Sequence, residues 1–225
     1  MMPEREPPLS RAVAAGMSCT IAAPPDVTTT VLLVRHAAHD NVGAYLAGRA
    51  PGVHLGVDGR AQANRLAEKL RRHRIDAIYS SPRERARETA AAIAELQAAA
   101  AVHQADALDE IDFGEWSGQG FDALQADPSW RRWNEARSLA RTPNGESMLE
   151  VQARAVGAVQ SAAQSHAGGT IAVVSHADVI KTIVCYYLGS PIDAYDRFDI
   201  APGSVSTVSL GIHHALLLQL NEPAP

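Results

Sequence analysis

Val31-Leu32-Leu33-Val34-Arg35-His36 is an aliphatic run that stops abruptly at an arginine and a histidine. A continuous apolar run of this length reads as a strand buried on both faces, the kind found in parallel sheets. In open α/β sheets, ligands bind just beyond the carboxyl ends of such strands. Arg35 and His36 occupy that position. The pattern returns at Thr170-Ile171-Ala172-Val173-Val174-Ser175, which leads into His176-Ala177-Asp178. Two strands that each deliver a histidine to one sheet edge point to a single site.

Between these runs the chain alternates. Residues 37 to 58 have glycines and no sustained period, so they read as a loop with room for one helical turn; Arg49 in this loop is placed to face the site. Gln62, Leu66, Ala67 and Leu70 recur at helical spacing, entered at Asp58-Gly59 and left at the basic Arg71, Arg72 and Arg74. Residues 75 to 80 form a second strand ending at Ser80-Ser81-Pro82. Pro82 suits the first turn of a helix whose inner face is Ala86, Thr89, Ala90, Ile93 and Leu96, with Arg85 near its start. A third strand is expected up to Leu108, followed by an ordered loop over residues 110 to 118. Residues 121 to 139 read as one or two short helices broken near Pro128. Ser147 caps a long helix carrying Leu149, Val151, Val156 and Val159. A helix over residues 177 to 188 is stopped by Gly189-Ser190-Pro191, and two strands over 205 to 210 and 215 to 220 meet across Gly211. This alternation predicts an α/β fold, a three-layer α/β/α sandwich with a mostly parallel central sheet.

At 225 residues the chain suits one such domain, over 29 to 222, with a core of ample size. Residues 1 to 28, rich in Ala, Pro and Thr, read as a disordered extension, within which Met17 is an alternative start. Their apolar runs are too short for a secretory core or a spanning helix, so no membrane association is expected. The formal charge of −5 includes no basic tract, which disfavours nucleic acid as a partner. Cys19 and Cys185 sit far apart, as reduced cytoplasmic thiols do rather than a disulfide framework. Oligomeric state is left open, a homodimer included.

A histidine after a strand is, taken alone, more often structural than functional. Adjacency to Arg35 changes that reading, because a permanent cation keeps the imidazole neutral and its lone pair free for attack on phosphorus. Arg85 competes with Arg83 and Arg87 on the same helix, but the Ser81-Pro82 turn brings it to the sheet edge, where a guanidinium fork suits phosphate. His176 taken alone is as readily a core histidine; beside His36 it is a donor to a phosphoryl oxygen. Glu110 is the favoured acid, since it follows an apolar run and enters a glycine-rich loop. Spacing alone does not choose it over Asp109, Asp112 and Glu115.

Taken together these residues resemble the histidine phosphatase superfamily, which includes the cofactor-dependent phosphoglycerate mutases. The family's Arg-His-Gly, Ser-Ser-Pro-x-x-Arg-Ala, Leu-x-Glu with Phe-Gly-x-Trp, Gly-Glu-Ser and Val-Ser-His-Gly segments appear in order. They stand here as Arg35-His36-Ala37, Ser80 to Ala86, Leu108-Asp109-Glu110 with Phe113 to Trp116, Gly145-Glu146-Ser147, and Val174 to Ala177. The resemblance implies a phosphohistidine on His36, a phosphate pocket of Arg35, Arg85 and His176, and Glu110 as proton donor. It implies a further substrate contact from the first loop at Asn41, to which the loop itself adds Arg49, and neither metal nor other cofactor. Alanine replaces the family glycine at positions 37 and 177.

The implied activity is hydrolysis of a small phosphorylated metabolite. Phosphoglycerate mutase-type transfer is the alternative, but mutases carry a long insertion after the acid, and only about 35 residues separate Glu110 from Glu146 here. A catalytically weak phospho-ligand-binding protein would not need nucleophile and acid together. Metal-dependent hydrolysis through His36-x-x-His39 ranks last, because the pair lies on a loop. Trp116, Trp130 and Trp133 read as core of the segment after the acid in preference to a stacking platform.

Overall fold

The computed structural model describes residues 27–40, 43–97 and 100–224. Met17, Cys19, Asn41 and nearly all of the expected N-terminal extension lie outside the described residues.

The central sheet has the order β3-β2-β4-β1-β5-β6. Its strands are β1 (Thr29–Arg35), β2 (Ala77–Ser80), β3 (Ala101–Gln104), β4 (Thr170–Ser175), β5 (Val205–Leu210) and β6 (Ala215–Glu222). The β3/β2, β2/β4 and β4/β1 pairs are parallel, and β5 and β6 add an antiparallel end. Helices α1 (Val57–Leu70), α2 (Glu84–Glu95), α3 (Phe121–Ala126), α4 (Pro128–Glu135), α5 (Met148–Ser165) and α6 (Ala177–Tyr187) complete the fold.

Alternation along β1 shows why three layers form. Val31 and Leu33 pack with Val151 and Val159 of α5 and Ile183 of α6. Leu32 and Val34 pack on the opposite face with Leu66 and Leu70 of α1 and Ala86 and Ile93 of α2. Successive strand side chains point to opposite faces, so a run that is apolar throughout needs a helical layer on each side. The expected sandwich is the observed one, and among the described residues no helix is long and apolar enough to cross a membrane.

Local differences have physical causes. Residues 37 to 56 contain no helical turn among those described. α2 starts at Glu84 and not at Pro82, because the Arg83 amide donates to Ser81 Oγ (3.3 Å) and the chain stays extended to Arg83. β3 ends at Gln104, and Leu108 is buried from a 3-10 turn over Asp106–Leu108. Leu96, just past the end of α2, is partly exposed. In α5, Met148, Val151, Ala155 and Val159 form the inner face, which turns Leu149 outward to 51 % exposure. Ser147 does cap α5, within a capping box shared with Glu150.

α3 and α4 lie in the segment that follows the acid loop. Trp116 and Trp133 are fully buried there, and Trp130 packs edge-on against Trp116 at 5.2 Å between centroids. The tryptophans are core, as expected.

Candidate active site

Parallel pairing of β1 with β4 sets Arg35 opposite Ser175, so the two strands end together. The His36 amide donates to the Ser175 carbonyl (3.0 Å), and the His36 and His176 rings lie 5.1 Å apart, edge to face. Both are buried. His36 Nδ1 is 2.8 Å from the Ala37 carbonyl oxygen. A carbonyl only accepts, which assigns the proton to Nδ1 and leaves the lone pair on Nε2. Burial, then the charges of Arg85 and Arg35, hold His36 well below the usual histidine range.

Arg85, in the first turn of α2, is 1 % exposed. Its Nε donates to His36 Nε2 (3.3 Å) and its Nη2 to the Gly48 carbonyl (2.9 Å), while Nη1 is buried without a partner. Arg35 repeats this arrangement: Nη1 donates to the Ile200 carbonyl (2.6 Å) and Nε is buried unmatched. An unmatched buried donor costs about 1–3 kcal/mol, and one in a cavity wall is open to an acceptor that a ligand supplies. Two guanidinium groups anchored on carbonyls, each with a free N–H beside a neutral imidazole, suit an oxyanion.

His176 is held from behind. Its Nε2 lies 2.8 Å from Ser81 Oγ, and that hydroxyl donates to Asp109 Oδ1 (3.3 Å). Ser81 therefore accepts from Nε2–H, and Nδ1 faces Arg85 Nη2 (3.2 Å) as an acceptor. Burial, then Arg85 and His36, keep this imidazole well below its usual range. Glu110 Oε2 sits 3.5 Å from the same Nδ1 and 3.9 Å from Arg85 Nη2. Burial raises the Glu110 carboxyl to about 7, against the pull of Arg85 and with help from Asp178.

The four acids of this loop separate by their partners. Asp109 turns toward Ser81 and Arg83, Asp112 accepts from the Gly114 amide, and Glu115 accepts from Asn144. Glu110 alone of the four lines the cavity holding His36. The loop is fixed by close backbone packing: a Cβ on Gly114 would fall 1.8 Å from the Pro143 carbonyl oxygen, and Gly114 has φ +53°. A Cβ on Gly145 would fall 2.1 Å from the Asp112 carbonyl oxygen. Only glycine permits these approaches.

Arg49 is placed beside the acid loop. Its Nε donates to the Glu110 carbonyl (2.8 Å) and its Nη2 to Glu146 (2.8 Å), with Asp109 and Asp112 at 3.5 and 3.6 Å. With these acceptors taken up, it braces the acid loop and does not line the cavity. Arg154, which carried no expectation, completes the brace. It donates from Nε and Nη2 to both oxygens of Glu146, and from Nη1 and Nη2 to the carbonyls of Ala107, Asp109 and Glu110.

The cavity holds about 180 Å³, with Tyr45, Leu46, Phe113 and Phe121 on its apolar side. His39 lines it with a buried, unpartnered Nδ1 and is kept below the usual range by burial and then by Arg85 and Arg35. Asp178 lines it as well. Neither alanine that replaces a family glycine has positive φ. Ala37 packs away from the cavity against Leu55 and Ala63, and only the Ala177 methyl borders it. Among the described residues no group of three or more His, Cys, Asp or Glu is disposed to hold a metal ion.

Comparison with known proteins agrees with this fold. Phosphoserine phosphatase 1 of Hydrogenobacter thermophilus is 32 % identical over 195 residues, which cover 85 % of this chain and 91 % of that protein. Bacillus stearothermophilus YhfR superposes with a TM-score of 0.81 at 30 % identity, over 86 % of this chain and 97 % of that one. An Entamoeba histolytica phosphoserine phosphatase in complex with 3-phosphoglyceric acid gives 0.76 at 26 % identity, over 86 % and 97 %. Residues 31–223 match the histidine phosphatase superfamily, branch 1, and the chain belongs to that family.

Proposed function

We propose that the chain is a phosphomonoester hydrolase that works through a phosphohistidine on His36 and acts on a small phosphorylated metabolite. The observation that carries this reading is the His36 tautomer: Nδ1–H is tied to the Ala37 carbonyl, so the nucleophilic lone pair on Nε2 stands beside the Arg85 fork. The unmatched N–H groups of Arg35 and Arg85 receive the phosphoryl oxygens as charge develops on them. Nε2 attacks phosphorus, the bond to the ester oxygen breaks, and Glu110 gives its proton to the departing alkoxide. The resulting carboxylate then takes a proton from water, whose oxygen attacks the phosphohistidine and releases inorganic phosphate with His36 restored. A dianion bound beside His176 favours its protonated form, in which Nδ1 becomes a donor to a phosphoryl oxygen.

The cavity is smaller than the 300–1,000 Å³ typical of drug-sized ligands, which supports a small substrate. The relatives named phosphoserine phosphatase support the reaction class. A cytoplasmic location belongs to the same reading. The test is a chemical one. Rapid quench of the protein with a labelled phosphomonoester should yield one acid-labile, alkali-stable phosphate on His36, and His36→Ala should abolish it. Normal turnover by His36→Ala would overturn the assignment.

A further inference from the structure

Four charged side chains line the cavity among the described residues: Arg35, Arg85, Glu110 and Asp178. The first three belong to the phosphoryl chemistry, so Asp178 is left over. It sits in the first turn of α6, two residues past His176. Its side chain is 25 % exposed whereas that of Arg85 is 2 % exposed, so it lies toward the opening, where the alcohol half of a substrate must sit. Asp178 Oδ2 pairs with Arg137 Nη1 at 2.9 Å. That arginine stands behind Asp178 and does not line the cavity. Its guanidinium is stacked 3.6 Å from the centre of the Tyr195 ring, and it donates to Asn134. Asp178 thus lines the cavity with only its Oδ2 paired to Arg137, while no described cation outside the phosphoryl site lines the same space.

Resting on the phosphatase reading, we propose that Asp178 determines specificity by selecting phosphomonoesters of amino alcohols, through its carboxylate and their ammonium group, over esters of hydroxy acids. A substrate carboxylate placed there would meet like charge and find no partner, and such repulsion discriminates as effectively as a new contact attracts. The walls of Leu46, Phe113 and Phe121 then pack on the short carbon chain between the two charged ends.

The test uses two compounds of the same length whose far ends differ in sign: O-phosphoethanolamine and 2-phosphoglycolate. Equilibrium binding is measured by calorimetry on full-length protein carrying His36→Ala, which cannot form a phosphoenzyme, so the outcome is independent of the covalent route. Phosphoethanolamine should bind about tenfold or more tightly than phosphoglycolate, the factor expected from one charge-assisted hydrogen bond. Adding Asp178→Asn should bring the ratio to about one or invert it, and Asp178→Glu should keep its sign. A purely structural Asp178 would weaken both ligands alike and leave the ratio unmoved. Equal or tighter binding of phosphoglycolate, a ratio indifferent to Asp178→Asn, or no binding of either compound would overturn the proposal. Failure of the covalent reading would show separately, as absent labelling of His36 in the wild-type protein.

Discussion

Arg85 is a fully buried and Arg154 a partly buried guanidinium group, both within reach of the acid loop, yet they are arranged in opposite ways. Arg154 is saturated: one hydrogen bond from Nε, two from Nη1 and two from Nη2 use all five of its N–H groups on protein acceptors. Arg85 is anchored on Gly48 and His36 but keeps Nη1 unmatched. The protein satisfies the arginine that braces the acid loop and leaves a donor unmatched on the arginine proposed to bind phosphate. Burial alone therefore does not separate the two arginines; what separates them is an unmatched donor in the cavity wall, since Trp133 Nε1 and Arg137 Nε are unmatched away from it.

That contrast breaks first on stability. Arg154→Met removes one of the two arginine partners of Glu146 and orphans the Ala107 and Asp109 carbonyls, and each acceptor left unmatched costs about 1–3 kcal/mol. Urea unfolding should show that loss as a lower midpoint at unchanged slope, while the folded fraction still labels His36. An Arg154→Met protein as stable as the wild type would deny the bracing role.

Arg85→Ala should behave the other way. Loss of one preorganised donor to developing charge slows the reaction by about 10²- to 10³-fold. Stability should fall less than in Arg154→Met, because only the Gly48 carbonyl loses its partner and an unmatched buried donor is removed with it. Arg85→Lys would restore charge without the fork and recover only part of the rate. Steady-state kinetics beside the same urea titration read both quantities, and a destabilised variant with normal kcat/KM would reverse the two arginines' roles.

One half of this contrast is readable from residue order. β1 and β4 announce themselves as apolar runs, and a histidine follows each, so the runs alone place the sheet edge and both imidazoles. Arg85 is reached through the Ser81-Pro82 turn. The bracing half is invisible because its partners are remote: Arg49 meets the Glu110 carbonyl across 61 positions and Glu146 across 97. With no local period to orient it, Arg49 reads equally well as a phosphate ligand. Glu110 is indistinguishable from Asp109, Asp112 and Glu115 by spacing, and only the loop's path past Gly114 and Gly145 decides which carboxyl enters the cavity. Asp178 reads as an ordinary first-turn acid until Arg137 and the cavity are seen beside it. Leu149 shows the same limit within a helix, where one residue of phase separates core from solvent.

The smallest of these effects concerns the acid lying between the two arginines: Arg154 holds its carbonyl and Arg85 faces its carboxyl. Burial raises Glu110 to about 7, so in the free enzyme its proton is lost as pH rises through neutrality. The consequence depends on the leaving group. An alkoxide needs the proton, whereas p-nitrophenolate departs without it. The ratio of kcat/KM for an alkyl phosphate to that for p-nitrophenyl phosphate should be flat below pH 7 and fall about tenfold per unit above it, and taking the ratio cancels ionisation common to both substrates. Glu110→Gln should lower the ratio and remove its pH dependence. Stability carries the matching sign. Because the folded state holds this proton more tightly than the unfolded chain, folding stability declines as pH rises from the ordinary glutamate range toward 7, and Glu110→Gln abolishes that decline. A ratio that stays flat through about pH 8 would move the proton donor to another group, and Asp178, which borders the same cavity, would be the next carboxyl to replace.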